Sequence, residues 1–295
     1  MENNITAIVL TYNEELHIGR CLESLLKFCS AIVVVDSYSD DSTLEICKSF
    51  HKVQVVQNPF VNQALQMQWA LDHTQINTRW TIKVDADEYF DEKAIRNIKA
   101  ISQGEDCAVA FRRRVVFNDR WIRFGGTYPQ TLVRMWPSGL CQVENRWMDE
   151  HMIVKGMRRV VVKGGFYDHN LRNIEWWTNK HNSYSTREMI QYYLEKLNPI
   201  NEEDKLGFSL STYVKRNLKK AYNRFPKLFR ALFYFSVRYF FLLGFLDGKS
   251  GFYFHFFQGF WYRALIDFKI DEARIHAYDM VSFRVYIKKK YGLNI

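Results

Sequence analysis

Ile5 to Leu10 is a short apolar stretch rich in β-branched residues that ends in the polar turn Thr11-Tyr12-Asn13-Glu14, the pattern of a first strand. From Glu14 to Phe28 the apolar positions Ile18, Cys21, Leu22, Leu25 and Leu26 recur at helical spacing and predict an amphipathic helix laid on a sheet. Ala31 to Val35 repeats the strand pattern and runs into Asp36-Ser37-Tyr38-Ser39-Asp40-Asp41-Ser42-Thr43, where polar side chains can cap a helix beginning near Thr43. A third strand at Val53–Val56, a helix at Gln63–Leu71 and a fourth strand at Trp80–Val84 follow, the last opening into Asp85-Ala86-Asp87-Glu88. Strands separated by single helices predict parallel βαβ units, hence an α/β fold with a mostly parallel sheet. Ligands of such sheets gather at the carboxyl ends of the strands, where Thr11–Glu14, Asp36 and Asp85–Glu88 all fall.

Beyond a helix at Lys93–Ile101 the rhythm loosens. Strands are predicted at Ala108–Phe111, Val115–Phe117, Thr131–Met135 and Val160–Lys163, then a helix at Leu171–Leu197. A polar break at Pro199–Lys205 sets the expected division: residues 1–203 as an α/β domain with halves 1–105 and 106–203, and residues 204–295 as a helical appendage.

The chain of 295 residues is 47% apolar and 16% aromatic, enough to bury a large core and incompatible with collagen, disorder or a disulfide scaffold. Five cysteines (Cys21, Cys29, Cys47, Cys107 and Cys141) are scattered, without metal-site spacing, and are expected to be reduced, buried hydrophobes. The apolar run at Ile5–Leu10 is too short for a signal peptide, so a cytosolic working face is expected. The net charge of +9 is local: Lys205–Arg263 holds 11 Lys or Arg against one acidic residue, Asp247, amid many Phe and Tyr. Its longest uncharged run, Ser250–Tyr262, is thirteen residues, short of the roughly 20 that span a bilayer. Helices lying in the interface of an anionic membrane fit this pattern, and a buried aromatic core or an oligomer interface, including a homo-oligomer, fits it too. The segment is too apolar for a wet nucleic-acid groove, so no nucleic-acid partner is expected.

Three carboxylates within four residues at a strand end repel one another unless they meet open solvent or a cation. Asp85 and Asp87 therefore suggest a Mg²⁺ or Mn²⁺ site completed by substrate phosphates, although an acidic loop capping the next helix gives the same pattern. Asp36 can accept from a nucleobase imide or a ribose hydroxyl, or merely shape an Asx turn. Asp149-Glu150-His151 offers a base for deprotonating an alcohol, or simple surface ion pairs. His151, His169, His181 and Lys180 are candidate contacts to phosphate, acceptor or metal, with ordinary structural hydrogen bonding as the alternative. Neither a dinucleotide fingerprint nor Gly-Lys-Ser/Thr follows strand 1, which argues against nicotinamide, flavin and P-loop enzymes.

Ile8-Val9-Leu10-Thr11-Tyr12-Asn13-Glu14, Val34–Thr43 and Lys83-Val84-Asp85-Ala86-Asp87-Glu88 together resemble glycosyltransferase family 2, the inverting GT-A group. Asp149-Glu150-His151, Lys180–Ser185 and Phe245–Gly251 look like its branch of bacterial lipopolysaccharide-core β-glucosyltransferases and related capsule or O-antigen enzymes. The resemblance implies a GT-A fold that binds a nucleoside diphosphate sugar, a UDP-hexose or UDP-N-acetylhexosamine, through its first half and an acceptor through its second. It also implies that Thr11, Asn13 and Glu14 line the nucleotide pocket, Asp36 faces the base, and Asp85 and Ala86 lie at the ribose. Asp87 would hold Mg²⁺ or Mn²⁺, with Asp85 or His169 beside it. Glu150 would be the general base, with Asp149 as its rival because related sequences carry His-Glu-His there. The implied acceptor is a lipid-linked glycan, on polyprenyl diphosphate or the lipid A core, reached from the cytoplasmic face of the bacterial inner membrane. A nucleotidyltransferase and a noncatalytic glycan-binding protein are the alternatives, the first disfavoured by the lack of a basic glycine-rich loop.

Overall fold

The computed structural model describes residues 4–148, 150–197, 226–227 and 229–295. Two compact units divide at Arg172/Asn173.

The first unit alternates as expected: β1 (Ile5–Thr11), α1 (Ile18–Leu26), β2 (Ala31–Asp36), α2 (Thr43–Lys48), β3 (Val53–Gln57), α3 (Gln63–His73) and β4 (Trp80–Asp85). It continues through β5 (Glu88–Phe90), α4 (Glu92–Ile101), β6 (Ala108–Phe117), β7 (Arg120–Trp121), β8 (Gln130–Pro137), β9 (Gln142–Val143), β10 (Met152–Ile153) and β11 (Arg159–His169). The main sheet runs β3-β2-β1-β4-β8-β6-β11-β5, with β7 on β6. Strands β3, β2, β1 and β4 are parallel, their register placing Thr11 beside Asp36 and Leu10 beside Asp85.

Beyond β4 the expectation of a mostly parallel sheet needs correction. β8 is antiparallel to both β4 and β6, β5 is antiparallel to β11, and only the β6–β11 pair is parallel. The physical reason is connectivity: no crossover helix separates β6, β7 and β8, and chain that turns back without one must pair antiparallel. The two strands predicted at Ala108–Phe111 and Val115–Phe117 are one, because Arg112, Arg113 and Arg114 continue the extended chain. Arg113 is neutralised by Asp168 and Arg114 by Asp91. β11 extends past its apolar run through Gly164 and Gly165; a side chain at Gly165 would meet the Arg112 carbonyl oxygen at 2.1 Å.

One sheet face packs Ile5, Ala7, Val9, Ile32, Val34, Ile82 and Val84 against Cys21, Leu22 and Leu25 of α1 and Ala94, Ile95 and Ile98 of α4. The other packs Ile8, Val33 and Val35 against Met67 and Ala70 of α3 and Trp136 of β8. All five cysteines are buried and free. Helix starts follow side-chain chemistry: Asn62 accepts from the Leu65 amide at α3 and Asp91 from the Ala94 amide at α4. At α2 the expected cap is supplied by Asp41, which accepts from the Thr43 amide at 2.9 Å.

The second unit contains α5 (Ile174–Leu197), α6 (Phe229–Ser236), a π-helical stretch Val237–Phe241, a 3₁₀ turn Gly244–Asp247 and α7 (Gly248–Phe254). A second π-helical stretch, His255–Trp261, leads into α8 (Tyr262–Ala273), and α9 (Met280–Tyr291) follows. α5 packs on α8, with Tyr193 donating to the Ile270 carbonyl and Lys269 to Asn182 and Thr186. The helix drawn from sequence as the end of the first domain thus packs within the C-terminal unit. The expected division at 203/204 lies outside the described residues. Among those residues no single helix is long and apolar enough to cross a membrane; Phe229–Phe241 and Gly244–Ala273 meet that test only as a pair bent by 71°.

Candidate active site

Two loops at the carboxyl ends of β1 and β2 are stitched together by their own polar side chains. Asn13, in the left-handed region that asparagine tolerates, donates to the Asp40 carboxylate at 2.7 Å and accepts from the Asp40 amide at 3.0 Å. The Asn13 amide donates to Ser39 Oγ at 2.9 Å and the Glu14 amide to Thr43 Oγ1 at 2.7 Å. Asp36 lies beneath this seam, fully buried. Its carboxylate accepts from Thr11 Oγ1 (3.1 Å), Ser39 Oγ (2.5 Å), the Ser39 amide (2.9 Å) and Gln57 Nε2 (3.1 Å). Asp36 thus receives four hydrogen bonds from protein donors.

The Asp85–Glu88 turn contains a cation that sequence reasoning missed. Arg134 of β8, buried, reaches across the sheet to Asp85 at 2.9 Å and Glu88 at 2.6 Å. Gln63 at the start of α3 also donates to Asp85, at 3.2 Å. Burial alone would raise the Asp85 carboxyl, but Arg134 and then Lys83 hold it well below the usual carboxylate range. Burial pushes the Glu88 carboxyl well up, further raised by the Asp85 charge and opposed by Arg134. The pair divides its roles: Asp85 is the anion, and deeper Glu88 is the readier to take a proton. An arginine inside an apolar strand, Leu132-Val133-Arg134-Met135-Trp136, was the available signal.

Asp87 projects from the turn between β4 and β5, half-buried, and accepts from Asn170 Nδ2 at 3.2 Å. The segment after β11 is fastened over this turn. The His169 amide donates to the Asp87 carbonyl at 3.1 Å, and Arg20 of α1 donates to the carbonyls of both Asp87 and His169. Arg172 donates to the Asn13 carbonyl. Buried His17 closes the ring: its Nε2 accepts from the Leu171 amide at 2.8 Å, so its Nδ1 carries the proton donated to Glu14 at 2.6 Å. Arg20 donates to His169 Nδ1 at 3.2 Å, leaving Nε2 to donate to Asp119 at 3.1 Å. The structure thereby brings Thr11, Asn13, Glu14, Ala86, Asp87 and His169 into one connected neighbourhood. Apolar and helical patterns gave no hint of Arg20, His17 or Arg172.

Glu150 accepts from Lys83 Nζ at 2.8 Å, with both side chains nearly buried. Lys83 sits two residues before Asp85 on β4, so both project from the same face of the strand. His151, more exposed, pairs with Glu144 at 2.8 Å. Asp149 lies outside the described residues. His181 and Lys180 are on α5 in the second unit, where His181 stacks on Trp177 and Lys180 lies over the Trp176 ring.

The fit of a divalent cation rests on these donors. Among the described residues no three His, Cys, Asp or Glu side chains gather into a cation cage. Asp85 is committed to Arg134 and Gln63, and His169 bridges Arg20 and Asp119. Asp87 is a hard carboxylate at the half-buried turn, where it accepts from Asn170. That suits Mg²⁺ or Mn²⁺, which takes one or two protein carboxylates and completes its shell with substrate phosphates and water.

Residues 6–166 match the glycosyl transferase family 2 model. The lipopolysaccharide core biosynthesis glycosyltransferase LpsC of Rhizobium meliloti is 36% identical over 98 residues, 32% of this chain and 35% of that protein. An uncharacterized glycosyltransferase of Rickettsia bellii is 29% identical over 122 residues, 41% of this chain and 40% of that one. The match thus spans well under half the length of either relative. The crystal structure of S. aureus TarS aligns with 18% identity and a TM-score of 0.43, covering 70% of this chain and 68% of that one. On the family match, which covers more than half of its length, the chain belongs to glycosyl transferase family 2.

Proposed function

We propose that the chain transfers a sugar, with inversion, from a uridine diphosphate hexose or N-acetylhexosamine to a lipid-linked glycan. The acceptor would be carried on polyprenyl diphosphate or the lipid A core, at the cytoplasmic face of a bacterial inner membrane. The observation that carries this reading is the interlocked pair of loops at the ends of β1 and β2, beside the Asp85–Glu88 turn that follows β4, all within the family-matched residues 6–166.

In this reading the Thr11–Glu14 loop and Ala86 line the nucleotide pocket. Asp36 sets that pocket's floor through Thr11, Ser39 and Gln57, and Asp85 faces the ribose from its arginine pair. Asp87 is the carboxylate that would hold Mg²⁺ or Mn²⁺; His169, tied to Asp87 through the backbone, would join by exchanging Asp119 for the ion. A bound cation would neutralise charge growing on the departing diphosphate. The acceptor hydroxyl oxygen attacks the anomeric carbon as the bond to the diphosphate breaks, and its proton passes to a carboxylate, Glu150 with Asp149 as its rival. Lys83 orients Glu150 toward that task. His151, Lys180 and His181 are the remaining candidates for phosphate and acceptor contacts. The second unit supplies peripheral contact with anionic lipid.

The test is a thermal-shift series with nucleoside diphosphate sugars, with and without Mn²⁺, followed by nucleoside diphosphate release with lipid-linked acceptors. Stabilisation by one nucleotide class, larger with Mn²⁺, is expected. No stabilisation and no release with any donor would overturn the proposal.

A further inference from the structure

Between Arg230 and Arg263 the only charged residues are Arg238, Asp247 and Lys249, and Asp247 is buried. The chain there forms a bent hairpin whose arms hold each other through aromatic rings. Phe235 and Tyr239 of the first arm meet Phe252 of the second, at 6.4 and 5.6 Å between centroids. Gly244 lets the chain close up at the bend: a side chain there would meet His255 Cδ2 at 2.6 Å and the Arg238 carbonyl oxygen at 2.8 Å. At the hairpin's base, buried Arg230 is paired with Asp267, so the apolar arms contain no isolated charge at that level.

The tip is the unusual part. Phe240, Phe241, Leu242, Leu243, Phe245 and Leu246 are all exposed, Phe241 at 78%. Six large apolar side chains at a single bend form a patch that water disfavours. Several backbone amides at this bend are bonded within it. The Leu242 amide donates to Val237 at 2.9 Å, the Leu246 amide to Leu243 at 3.0 Å, and the Gly248 amide to Phe245. Chain that enters hydrocarbon must satisfy its backbone internally, because no water is there to do it. Cations flank the bend on both sides, Arg238 before it and Lys249 after it, with no exposed acid between them. An apolar tip, a turn with local backbone bonds and flanking cations are the complement of an anionic bilayer surface.

We propose that Phe240–Leu246 is an insertion tip that enters the acyl region of one leaflet, with Arg238 and Lys249 at the headgroups, so that the second unit is wedged into the membrane. This rests on the reading that the second unit contacts lipid and assigns that contact to one bend.

The five native cysteines are buried, so a cysteine introduced at the tip can be labelled selectively in the folded full chain. Phe241→Cys and Leu243→Cys, each carrying an environment-sensitive fluorophore, are mixed with phosphatidylglycerol–phosphatidylethanolamine vesicles; Leu140→Cys in the first unit is the control. Tip emission should shift to the blue and rise several-fold, with quenching by doxyl groups within the acyl chains, while the control stays aqueous. Phe241→Asp/Leu243→Asp should cut vesicle partitioning by about tenfold or more. If wild type partitions but tip labels stay aqueous and the double variant still binds, the wedge is wrong and lipid contact lies elsewhere. If wild type does not partition at all, the membrane reading falls with it. Blue-shifted tip emission without vesicles that grows with protein concentration would make the bend a self-association surface and overturn the proposal.

Discussion

Replacing Arg134 by methionine tests whether the acidic turn after β4 is held by a protein cation. The guanidinium bridges Asp85 at 2.9 Å and Glu88 at 2.6 Å, and Glu88's side chain is only 3% exposed. Methionine keeps much of the side-chain volume and removes the charge, leaving two carboxylates with no counter-ion between them. Breaking a buried pair in this way costs about 3–5 kcal/mol. The low end applies here because Asp85, 29% exposed, regains some water and Glu88 can take a proton. For a protein of this size a loss of ~3 kcal/mol lowers the melting temperature by roughly 6–12 °C. The sign with pH follows from Glu88: a carboxyl raised in the folded state gives stability that is lost as pH rises, so the deficit of Arg134→Met should shrink between pH 7.5 and pH 5. Arg134→Met/Glu88→Gln should recover more than half of the loss, because one carboxylate is then gone. Urea unfolding followed by far-UV circular dichroism measures all three proteins. A single-variant loss under about 1 kcal/mol, or a double variant no more stable than the single, would refute the argument that Arg134 is the cation this turn requires.

Three further outcomes follow from named groups. Asp87→Asn should abolish Mn²⁺-dependent sugar transfer while shifting the melting temperature by only a few degrees, since an amide still accepts from Asn170; full activity would remove Asp87 from the site. Glu150→Gln keeps an oxygen for Lys83 yet loses the base, so turnover should fall by about 10²-fold or more with donor KM little changed; the reverse split would assign Glu150 to binding. Burial lowers Lys269 to about 8, so the unfolded chain holds more protons between pH 8 and 10, and stability gained from this residue rises with pH across that window. The stability difference between wild type and Lys269→Met should therefore move in favour of wild type by ~2 kcal/mol over that range, and a difference independent of pH would refute it. Comparison with the variant cancels the opposite trend of the buried thiols. Burial raises Cys47 to about 11 and Cys141 to about 12, and their contribution is lost as pH climbs above 9.

The parallel half of the sheet was legible because β1 and β2 are largely apolar runs buried on both faces and β4 alternates Trp80, Ile82 and Val84 with Thr81 and Lys83, with turn residues marking each end. The second half was harder because its strands are held by charges whose partners are remote in sequence. Arg113 and Arg114 read as a break until Asp168 and Asp91 are brought beside them from 55 and 23 residues away. β5 is three residues long, Glu88–Phe90, and its strand character comes from pairing with Phe166–Asp168. The sequence pattern separated Leu171–Leu197 from the tail because a polar stretch follows it, yet Tyr193 of that helix bonds to the Ile270 carbonyl of α8 and packs on Phe283 of α9.

The acidic residues at the strand ends carry the same lesson into chemistry. From sequence, Asp85, Asp87 and Glu88 are neighbouring anions in need of solvent or a cation, and Asp36 is an acceptor for a nucleobase or ribose, or an Asx-turn residue. In the folded chain they are not equivalent. Asp36 has four hydrogen bonds from protein donors, and Asp85 and Glu88 share a buried arginine. Each has already been compensated during folding, so a ligand that displaced those partners would have to replace what they supply. Asp87 differs by position: it stands at the half-buried crest of the turn, where its neighbour is an amide of the segment that closes over the loops. The carboxylates thus differ in their protein partners, Asp36 through Thr11, Ser39 and Gln57, Asp85 and Glu88 through Arg134, and Asp87 through Asn170, and that difference does not follow from the Asp-Ala-Asp spacing.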